Sequence, residues 1–373
     1  MPPVTLHDLA KRCNVSTATV SAVVNGAEWV SERTRRRVQK AIDAMGYHPN
    51  QLARGLKRRE GHAVGVVVSD LTNPFFTQIV RSLSHSLRES GRTLSLCDSD
   101  HRHDLGEANL KMLLEGQIVG LVVIGDSVPE TALRAFVKAR PAVHVIAIER
   151  DYHIPPVSTL LVDSEQAAYT ATCHLADRGC ERIAMIAGPT TGAGSATYGR
   201  VQRLDGYRRA LTSLGRVADP SLVVEGNFRY QSGRDAMTAL LALDQPPDAV
   251  FAANDMMALG AMSVVRENGL RVPDDVALVG FDNVPMTELT TPGLTTMAMP
   301  MSELGDAAAR LLDANIRLGA DHLAVRETFS AQLVARASTL GYAEGHSSTS
   351  SISPKASSRT RATEVFHPQP TTR

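Results

Sequence analysis

Six short apolar runs separated by amphipathic stretches constrain the fold of residues 62–340 more than any other feature. The runs read AVGVVVSD, IVGLVVIGD, AVHVIAIE, RIAMIAGP, AVFAAND and VALVGFDN, and the amphipathic stretches include residues 75–90, 165–178 and 232–243. Continuous rather than alternating apolar runs are typical of strands buried on both faces, so the pattern predicts parallel sheets covered by helices. The predicted elements are too numerous for one core, and we expect two α/β lobes.

Charge is unevenly distributed along the 373 residues, although 39 basic and 39 acidic side chains balance overall. Residues 1–60 carry 11 basic and 5 acidic side chains, so the rest of the chain has an excess of acids. This asymmetry indicates a basic module attached to a near-neutral or acidic one, which is compatible with a nucleic-acid partner.

Capping signals divide the basic module into three short helices. Thr5 and Asp8 form a capping-box pattern, and Asn14 suits the left-handed turn that would end the first helix. A second helix begins after Ser16, and a third runs from a Ser31 cap to Gly46. This is the helix-turn-helix plan, in which the second helix enters the major groove of DNA. Small hydrogen-bonding side chains suited to phosphate and base contacts lie at Ser16, Thr17, Thr19, Ser21 and Asn25. A three-helix bundle with a solvated basic face fits the same pattern.

The residues of this module strongly resemble the headpiece of the lactose-repressor (LacI/GalR) family of bacterial transcription regulators. The resemblance rests on VTLHDLAKRCNVSTATVSAVVNG and VSERTRRRVQKAIDAMGYHPNQLARGLK, and continues through NPFF, RLDGY, FAANDMMALGA, VPDDVALVGFDN and PGLTTM. It implies an all-α helix-turn-helix headpiece (residues 1–49), a hinge helix or linker (50–61), and a two-lobed, periplasmic-binding-protein-like α/β domain for effector binding and dimerisation (62–340). Residues 341–373, rich in Ser, Thr and Pro, are expected to be disordered.

The resemblance also implies roles at DNA. It assigns base reading to Thr17, Ala18 and Ala22, although Ala22 replaces a larger polar or basic residue of many family members and can offer only a methyl contact. Phosphate contacts fall to Thr5, Ser16, Thr19, Asn25, Ser31 and Thr34. The hinge segment contains Asn50, Ala53 and Arg54, and places Leu56 as a wedge into the central base step of the minor groove. An ordinary linker leucine is the alternative interpretation of Leu56.

Polar residues follow several of the apolar runs. The carboxyl ends of parallel strands form the ligand-binding edge of open α/β sheets, so these residues are candidates for a cleft between the lobes. Each could instead cap the following helix, which is the commoner role of Asp or Asn after a strand. The candidates are Ser69, Asp70, Glu149, Asn254, Asp255, Asp282 and Asn283.

The resemblance narrows this set and adds residues from other segments. It implies ligand-anchoring charges at Arg203 and Asp282, an amide contact at Asn254, and apolar or aromatic walls at Phe76 and Phe228. Ser69 and Glu149 would line the same cleft. Carboxylate, guanidinium and aromatic groups together favour a sugar or sugar derivative, with a nucleoside or purine as the second choice.

Signatures of catalysis and of cofactor binding are missing from the sequence. It contains no GxSxG motif, phosphate loop or metal-ligand cluster, so we expect neither an enzyme nor a cofactor or metal. His101 and His103 are expected to be solvated loop residues. Four cysteines without a CxxC pair indicate buried thiols, and no apolar run is long enough for a membrane span, so a cytoplasmic protein is expected.

Together these features predict a homodimeric transcription regulator, a repressor, that binds double-stranded operator DNA under control of a small-molecule effector. The tail lacks heptads, which favours a dimer over a tetramer. Whether the effector induces or corepresses is open. The alternatives are a solute-binding protein, a sugar-acting enzyme using Asp282 or Glu149 as acid or base, and control by a phosphorylated protein partner.

Overall fold

The computed structural model describes residues 4–24, 27, 29–47, 63–189, 198–319, 322–341 and 362–365. The chain divides into two compact units, Met1–Gly61 and His62–Arg373. The predicted hinge segment, with Asn50, Ala53, Arg54 and Leu56, lies outside the described residues, as does Asn25.

Three helices form the first unit: α1 (Leu6–Cys13), α2 (Thr17–Val24) and α3 (Glu32–Met45). Their apolar faces share one core that includes Leu9, Val20 and Val38, each fully buried. The predicted helix boundaries are confirmed, because the caps are local and strong. Asn14 ends α1 with φ 47°, and Gly46 ends α3 with φ 61°.

A seven-stranded sheet forms the core of the first lobe of the second unit. In space the strands follow the order β13-β11-β5-β4-β3-β1-β2, all parallel except β13. The strands are β1 (Ala63–Val68), β2 (Thr93–Asp98), β3 (Ile118–Ile124), β4 (His144–Ile148), β5 (Val157–Val162), β11 (Val325–Phe329) and β13 (Ala362–Val365). The helices of this lobe are α4 (Pro74–Glu89), α5 (His103–Glu115), α6 (Glu130–Ala139) and α12 (Met301–Leu318).

A six-stranded sheet forms the core of the second lobe, in the order β12-β10-β9-β8-β6-β7, with only β12 antiparallel. Its strands are β6 (Ile183–Ala187), β7 (Val223–Glu225), β8 (Ala249–Ala252), β9 (Ala277–Asp282), β10 (Thr295–Ala298) and β12 (Gln332–Val334). Its helices are α7 (Ser164–Asp177), α8 (Tyr198–Ser213), α9 (Tyr230–Leu241), α10 (Asp255–Glu267), α11 (Met286–Leu289) and α13 (Ala337–Leu340), with a 3₁₀ turn at Pro220–Leu222.

The chain passes between the lobes three times, from β5 to α7, from β10 to α12, and from β11 to β12. We call these three connections the crossings. They involve neighbouring strands of each sheet, β5 with β11 and β10 with β12. The predicted two-lobed α/β architecture is confirmed. Short connections of this kind are where hinge motions between lobes take place in proteins that close around a ligand.

The segment beyond residue 341 differs in part from the expected disorder. Ala362–Val365 pair antiparallel with β11, from Val325↔Val365 to Thr328↔Ala362. Strand pairing satisfies backbone groups without needing core-forming side chains, so the composition of the tail did not reveal it. The other tail residues lie outside the described part of the chain.

Candidate functional site

The headpiece places most of its predicted DNA contacts on its surface. Thr5, Ser16, Thr17, Ala18 and Ser31 are exposed, and Thr19, Ser21 and Thr34 are half-buried. Several of these side chains also cap helices. The Thr5 hydroxyl accepts from the Asp8 N–H at 3.3 Å, that of Ser16 from the Thr19 N–H at 3.1 Å, and that of Ser31 from the Thr34 N–H at 3.4 Å.

Ala22 is the one predicted DNA contact on α2 that is buried. It is only 9% exposed and belongs to the headpiece core. In this arrangement its methyl group stabilises the packing of α2 and leaves little surface for a base. Thr17 and Ala18, at the exposed N-terminal turn of α2, are better placed to reach base edges.

The seven residues predicted to bind an effector all line one cleft of the second unit. Its empty volume is about 560 Å³ when the open mouth is counted. Ser69, Phe76 and Glu149 belong to the first lobe, and Arg203, Phe228, Asn254 and Asp282 to the second. The sequence missed further lining residues, namely Asn73, Phe75, His101, Gly125, Asp126 and Gly199.

Arg203 is fixed by buried contacts on several sides. Its Nη1 donates to the Ala253 carbonyl at 2.7 Å, and its guanidinium carbon lies 4.1 Å from the centre of the Phe281 ring. Its Nη2 lies 3.8 Å from Oε2 of Glu149 in the facing lobe. The Nε atom is buried with no hydrogen-bond partner among the described residues. A buried N–H group without a partner is costly, so this part of the guanidinium is not fully satisfied by the protein.

Two carboxyl groups face this arginine. Burial raises the pKa of Glu149 to about 7, although Arg203 and a hydrogen bond from the Val162 N–H lower it. Burial also raises the pKa of Asp282 well above its ordinary value, with Arg203 opposing and Asp255 and Glu149 reinforcing the rise. The positive charge of Arg203 therefore opposes several buried acidic groups at once. With a pKa of about 7, the Glu149 carboxyl group can both donate and accept hydrogen bonds near neutral pH, which suits ligand hydroxyl groups.

Several lining residues adopt a backbone conformation that L-residues rarely occupy. The φ angles are 59° at Glu149, 66° at Phe228 and 56° at His101, and 113° at Asp282. Each such conformation costs about 1–3 kcal/mol and persists only where the surroundings enforce it. Its recurrence at strand ends around one cleft is typical of a functional site.

Asn254 combines the two roles that the sequence left open. Its Oδ1 accepts from the Met257 N–H at 2.9 Å and so caps α10, while its side chain also lines the cleft. Asp255 is different, because it is fully buried behind the cleft. There it accepts from the Val284 N–H at 2.8 Å and from the Thr296 hydroxyl at 2.6 Å. Its role is structural.

His101 corrects the expectation of a solvated loop residue. Its side chain is 22% exposed, and its ring lies 6.4 Å from Phe228 and 6.5 Å from Phe76 between ring centres. His103 also has a partner, since its Nε2 lies 3.1 Å from Oδ1 of Asp126. Both histidines follow β2, an edge strand whose partly exposed residues gave no apolar run in the sequence.

Within the described residues, no group of three or more His, Cys, Asp or Glu side chains is arranged to hold a metal ion. No helix in the described part of the chain is long and apolar enough to cross a membrane.

Each of the two units contains a segment that matches a known protein family or domain. Residues 5–50 match the lacI family of bacterial regulatory proteins, and residues 172–339 match the periplasmic binding protein-like domain. The HTH-type transcriptional repressor CytR of Escherichia coli (strain K12) is 35% identical over 309 residues, which cover 83% of this chain and 88% of that protein.

Solved structures give the same result. The transcriptional regulator CelR in complex with cellobiose is 33% identical, with a TM-score of 0.67, over 90% of this chain and 99% of that one. The Lac repressor dimer bound to operator and the anti-inducer ONPF is 27% identical, with a TM-score of 0.76 and the same coverage.

A helix-turn-helix headpiece followed by a two-lobed binding domain defines a class of DNA-binding regulators with a ligand cleft. The chain belongs to the lacI family of bacterial regulatory proteins, and is a transcription regulator. The relatives named above are transcription regulators.

Proposed function

We propose that the chain is a homodimeric repressor whose affinity for a two-fold-symmetric DNA operator is controlled by a small molecule bound between its lobes. The observation that carries the ligand-binding part is the meeting of all seven predicted residues in one cleft. The capped headpiece, with Thr17 and Ala18 exposed at the start of α2, supports the DNA-binding part. Such a regulator works where the DNA is, which in a bacterium is the cytoplasm.

The chemistry of the cleft favours a sugar or sugar derivative as the effector. Carboxyl groups at Glu149 and Asp282 and the Arg203 guanidinium suit several neighbouring hydroxyl groups. The ring of Phe228 offers a face for the apolar side of a pyranose or furanose. CelR, similar in sequence and fold, is solved with cellobiose, and this supports the same ligand class here.

A nucleoside is the second candidate, because three neighbouring rings line the cleft. His101 lies between Phe76 and Phe228, with ring centres 6.4–6.5 Å apart. Aromatic surfaces of this kind suit a nucleobase as well as a sugar.

We propose further that the cleft binds without turnover, as its carboxyl groups serve as ligand anchors. In the wild-type chain each of Glu149 and Asp282 faces Arg203, which fits an anchoring role.

A ligand panel tests these proposals. Full-length protein is screened for thermal stabilisation by monosaccharides, disaccharides and nucleosides, with Asp282→Asn as the binding-deficient variant. We expect one class to stabilise the wild type by several degrees and to leave Asp282→Asn unchanged. The stabilising compound should be recovered chemically unchanged after long incubation. Equal stabilisation of both proteins would contradict the assignment of the cleft, and conversion of the compound would contradict a purely regulatory role.

A further inference from the structure

A charged contact spans the cleft at the edge opposite the crossings. The crossings involve β5, β11, β10 and β12, which lie toward one side of their sheets, whereas β2 and β7 are the strands at the opposite edges. Asp100 follows β2 in the first lobe, and Arg229 follows β7 in the second. Rotation about the crossings displaces this far edge more than any other part of the cleft. A contact at this edge therefore opposes opening of the cleft more strongly than the same contact would elsewhere.

The contact consists of Arg229 with two carboxylates of the facing lobe. Its Nη2 is hydrogen-bonded to Oδ1 of Asp100, and its Nε lies 3.8 Å from Oδ2 of Asp70. Arg229 and Asp100 are about half exposed, at 47% and 55%, whereas the Asp70 side chain is only 4% exposed. Arg229 therefore makes one solvated contact, with Asp100, and one contact with a buried carboxylate, that of Asp70. Loss of the contact with the buried carboxylate costs more free energy than loss of a surface ion pair.

Asp70 is held ready for this contact by its own lobe. Its Oδ1 accepts from the Thr72 N–H at 2.7 Å and from the Thr72 hydroxyl at 2.6 Å. Nε2 of His101 lies 3.6 Å from the other carboxylate oxygen. Burial alone would raise the pKa of Asp70, but the nearby His101 ring and the hydrogen bonds from Thr72 lower it well below its ordinary value. The carboxylate is thus a fixed negative charge.

The backbone that carries Arg229 is tied to the ligand-binding residues. The Arg229 N–H donates to Oδ1 of Asn227 at 3.1 Å. The carbonyl of Phe228 accepts from Nδ2 of Asn254 at 2.8 Å, and both residues line the cleft. A ligand that contacts Phe228 or Asn254 would therefore act on the same short segment that positions the guanidinium.

We propose that Arg229 is a positioning residue of the effector cleft, which holds the two lobes closed by pairing with Asp70 and Asp100 at the edge farthest from the crossings. Arg229 makes the closed arrangement populated before any effector binds. An effector that binds the closed arrangement then binds more tightly, because less of its binding free energy is needed to close the lobes. This inference rests on the proposed function for its link to DNA, while lobe closure itself can be measured without DNA or effector.

Hydrogen–deuterium exchange on the full-length, ligand-free protein tests closure. Arg229→Gln removes the charge, and Arg208→Gln, an exposed arginine on α8 of the same lobe, is the matched control. We expect exchange in Arg229→Gln to become about three- to tenfold faster in peptides on both faces of the mouth, residues 69–73 and 226–230. The control should match the wild type. Since screening weakens the solvated part of the contact, 1 M NaCl should move the wild type toward the variant.

Two further variants distinguish a contact that holds the lobes closed from an effect of Arg229 on local packing. Arg229→Lys retains the charge and should restore most of the protection. Asp100→Asn removes only the solvated part of the contact and should raise exchange less than Arg229→Gln does, and the double variant should be no worse than Arg229→Gln alone, because Arg229→Gln already removes both parts. Unchanged exchange in Arg229→Gln, faster exchange confined to residues 226–230, or additive effects in the double variant would overturn the proposal.

The effect of Arg229 on DNA binding is measured separately. Operator affinity of Arg229→Gln should shift about three- to tenfold from the wild type, with Arg208→Gln unchanged. A shift in exchange without a shift in operator affinity would contradict the link between closure and DNA binding. Failure of the wild type itself to bind any operator would contradict the proposed function, and the exchange result would still decide whether Arg229 closes the cleft.

Discussion

Arg203 and Glu149 meet across the cleft, with Nη2 of the arginine 3.8 Å from Oε2 of the glutamate and both side chains buried. The arginine comes from α8 of the second lobe and the glutamate follows β4 of the first. Arg203 is the only arginine or lysine among the described residues that line the cleft. Arg203 therefore supplies the positive charge that opposes the buried carboxyl groups of Glu149 and Asp282.

The first prediction concerns Arg203→Ala. Removing one partner of a buried charge pair costs about 2–5 kcal/mol, so ligand affinity should fall by at least thirtyfold, a ratio of about 2 kcal/mol. The headpiece is unchanged, and operator binding without ligand should persist. The measurement is an operator titration with and without the compound that stabilises the wild type, with Arg208→Ala as the control. A normal ligand response in Arg203→Ala would contradict the assignment of the cleft.

The second prediction concerns pH. Burial raises the pKa of Glu149 from 4.5 to about 7 in the folded protein, so in this range the folded state holds a proton that the unfolded state has lost. The free energy of unfolding should therefore fall as pH rises from about 4.5 to 7, by about 1.4 kcal/mol per pH unit for such a group, and level off above. The raised pKa of Asp282 acts in the same direction.

Urea unfolding of the second unit between pH 5 and pH 8 measures this slope. Glu149→Gln cannot titrate and should flatten the slope relative to the wild type, while Glu115→Gln, on the exposed end of α5, should keep it. Equal slopes in all three proteins would show that Glu149 does not hold its proton in the folded state.

The sequence predicted the helix caps well because capping depends on short-range rules. Thr5, Asn14, Ser31 and Gly46 act on neighbouring backbone, and the structure confirms each of them.

The cleft candidates Ser69, Glu149, Asn254 and Asp282 were found because the ends of parallel strands meet at one edge of a sheet. Arg203, Phe76 and Phe228 were found only through the resemblance to the family. Their direct contact with a ligand stays a prediction.

The sequence failed where a role depends on contacts between distant segments. His101 was expected in solvent because β2 is an edge strand without an apolar run, yet its ring packs between Phe76 and Phe228. The position of Arg229 opposite Asp70 and Asp100 depends on how the two sheets face each other, which no local pattern contains. The burial of Ala22 likewise depends on how the three helices pack.

The third prediction concerns base reading by α2. Thr17 is exposed at the first turn of α2, so Thr17→Val, which keeps the shape and removes the hydroxyl, should change the preferred base at one symmetric pair of operator positions by about 1–3 kcal/mol. Ala22→Ser adds a hydroxyl to a buried position and serves as the comparison. It should lower headpiece stability more than it alters base preference. Sequence selection with each variant measures base preference and thermal unfolding measures stability, and an unaltered preference in Thr17→Val would contradict base reading at this residue.

The fourth prediction concerns Leu56, which lies outside the described residues and is assigned as a minor-groove wedge from the sequence alone. Leu56→Ala should weaken binding to the operator while leaving non-specific binding largely intact, because non-specific affinity comes from phosphate contacts. Trp29 is the only tryptophan of the chain and is 71% exposed on the headpiece, so its fluorescence can follow both titrations. Equal loss of specific and non-specific affinity would reject the wedge.

The central claim is that this chain is a ligand-controlled, dimeric DNA-binding regulator. Selection of bound sequences from a random DNA pool by the full-length protein, with and without a metabolite extract, tests it most directly. We predict enrichment of a two-fold-symmetric site, and a change in the amount recovered when the extract is added. Failure to enrich any symmetric site under both conditions would contradict the claim.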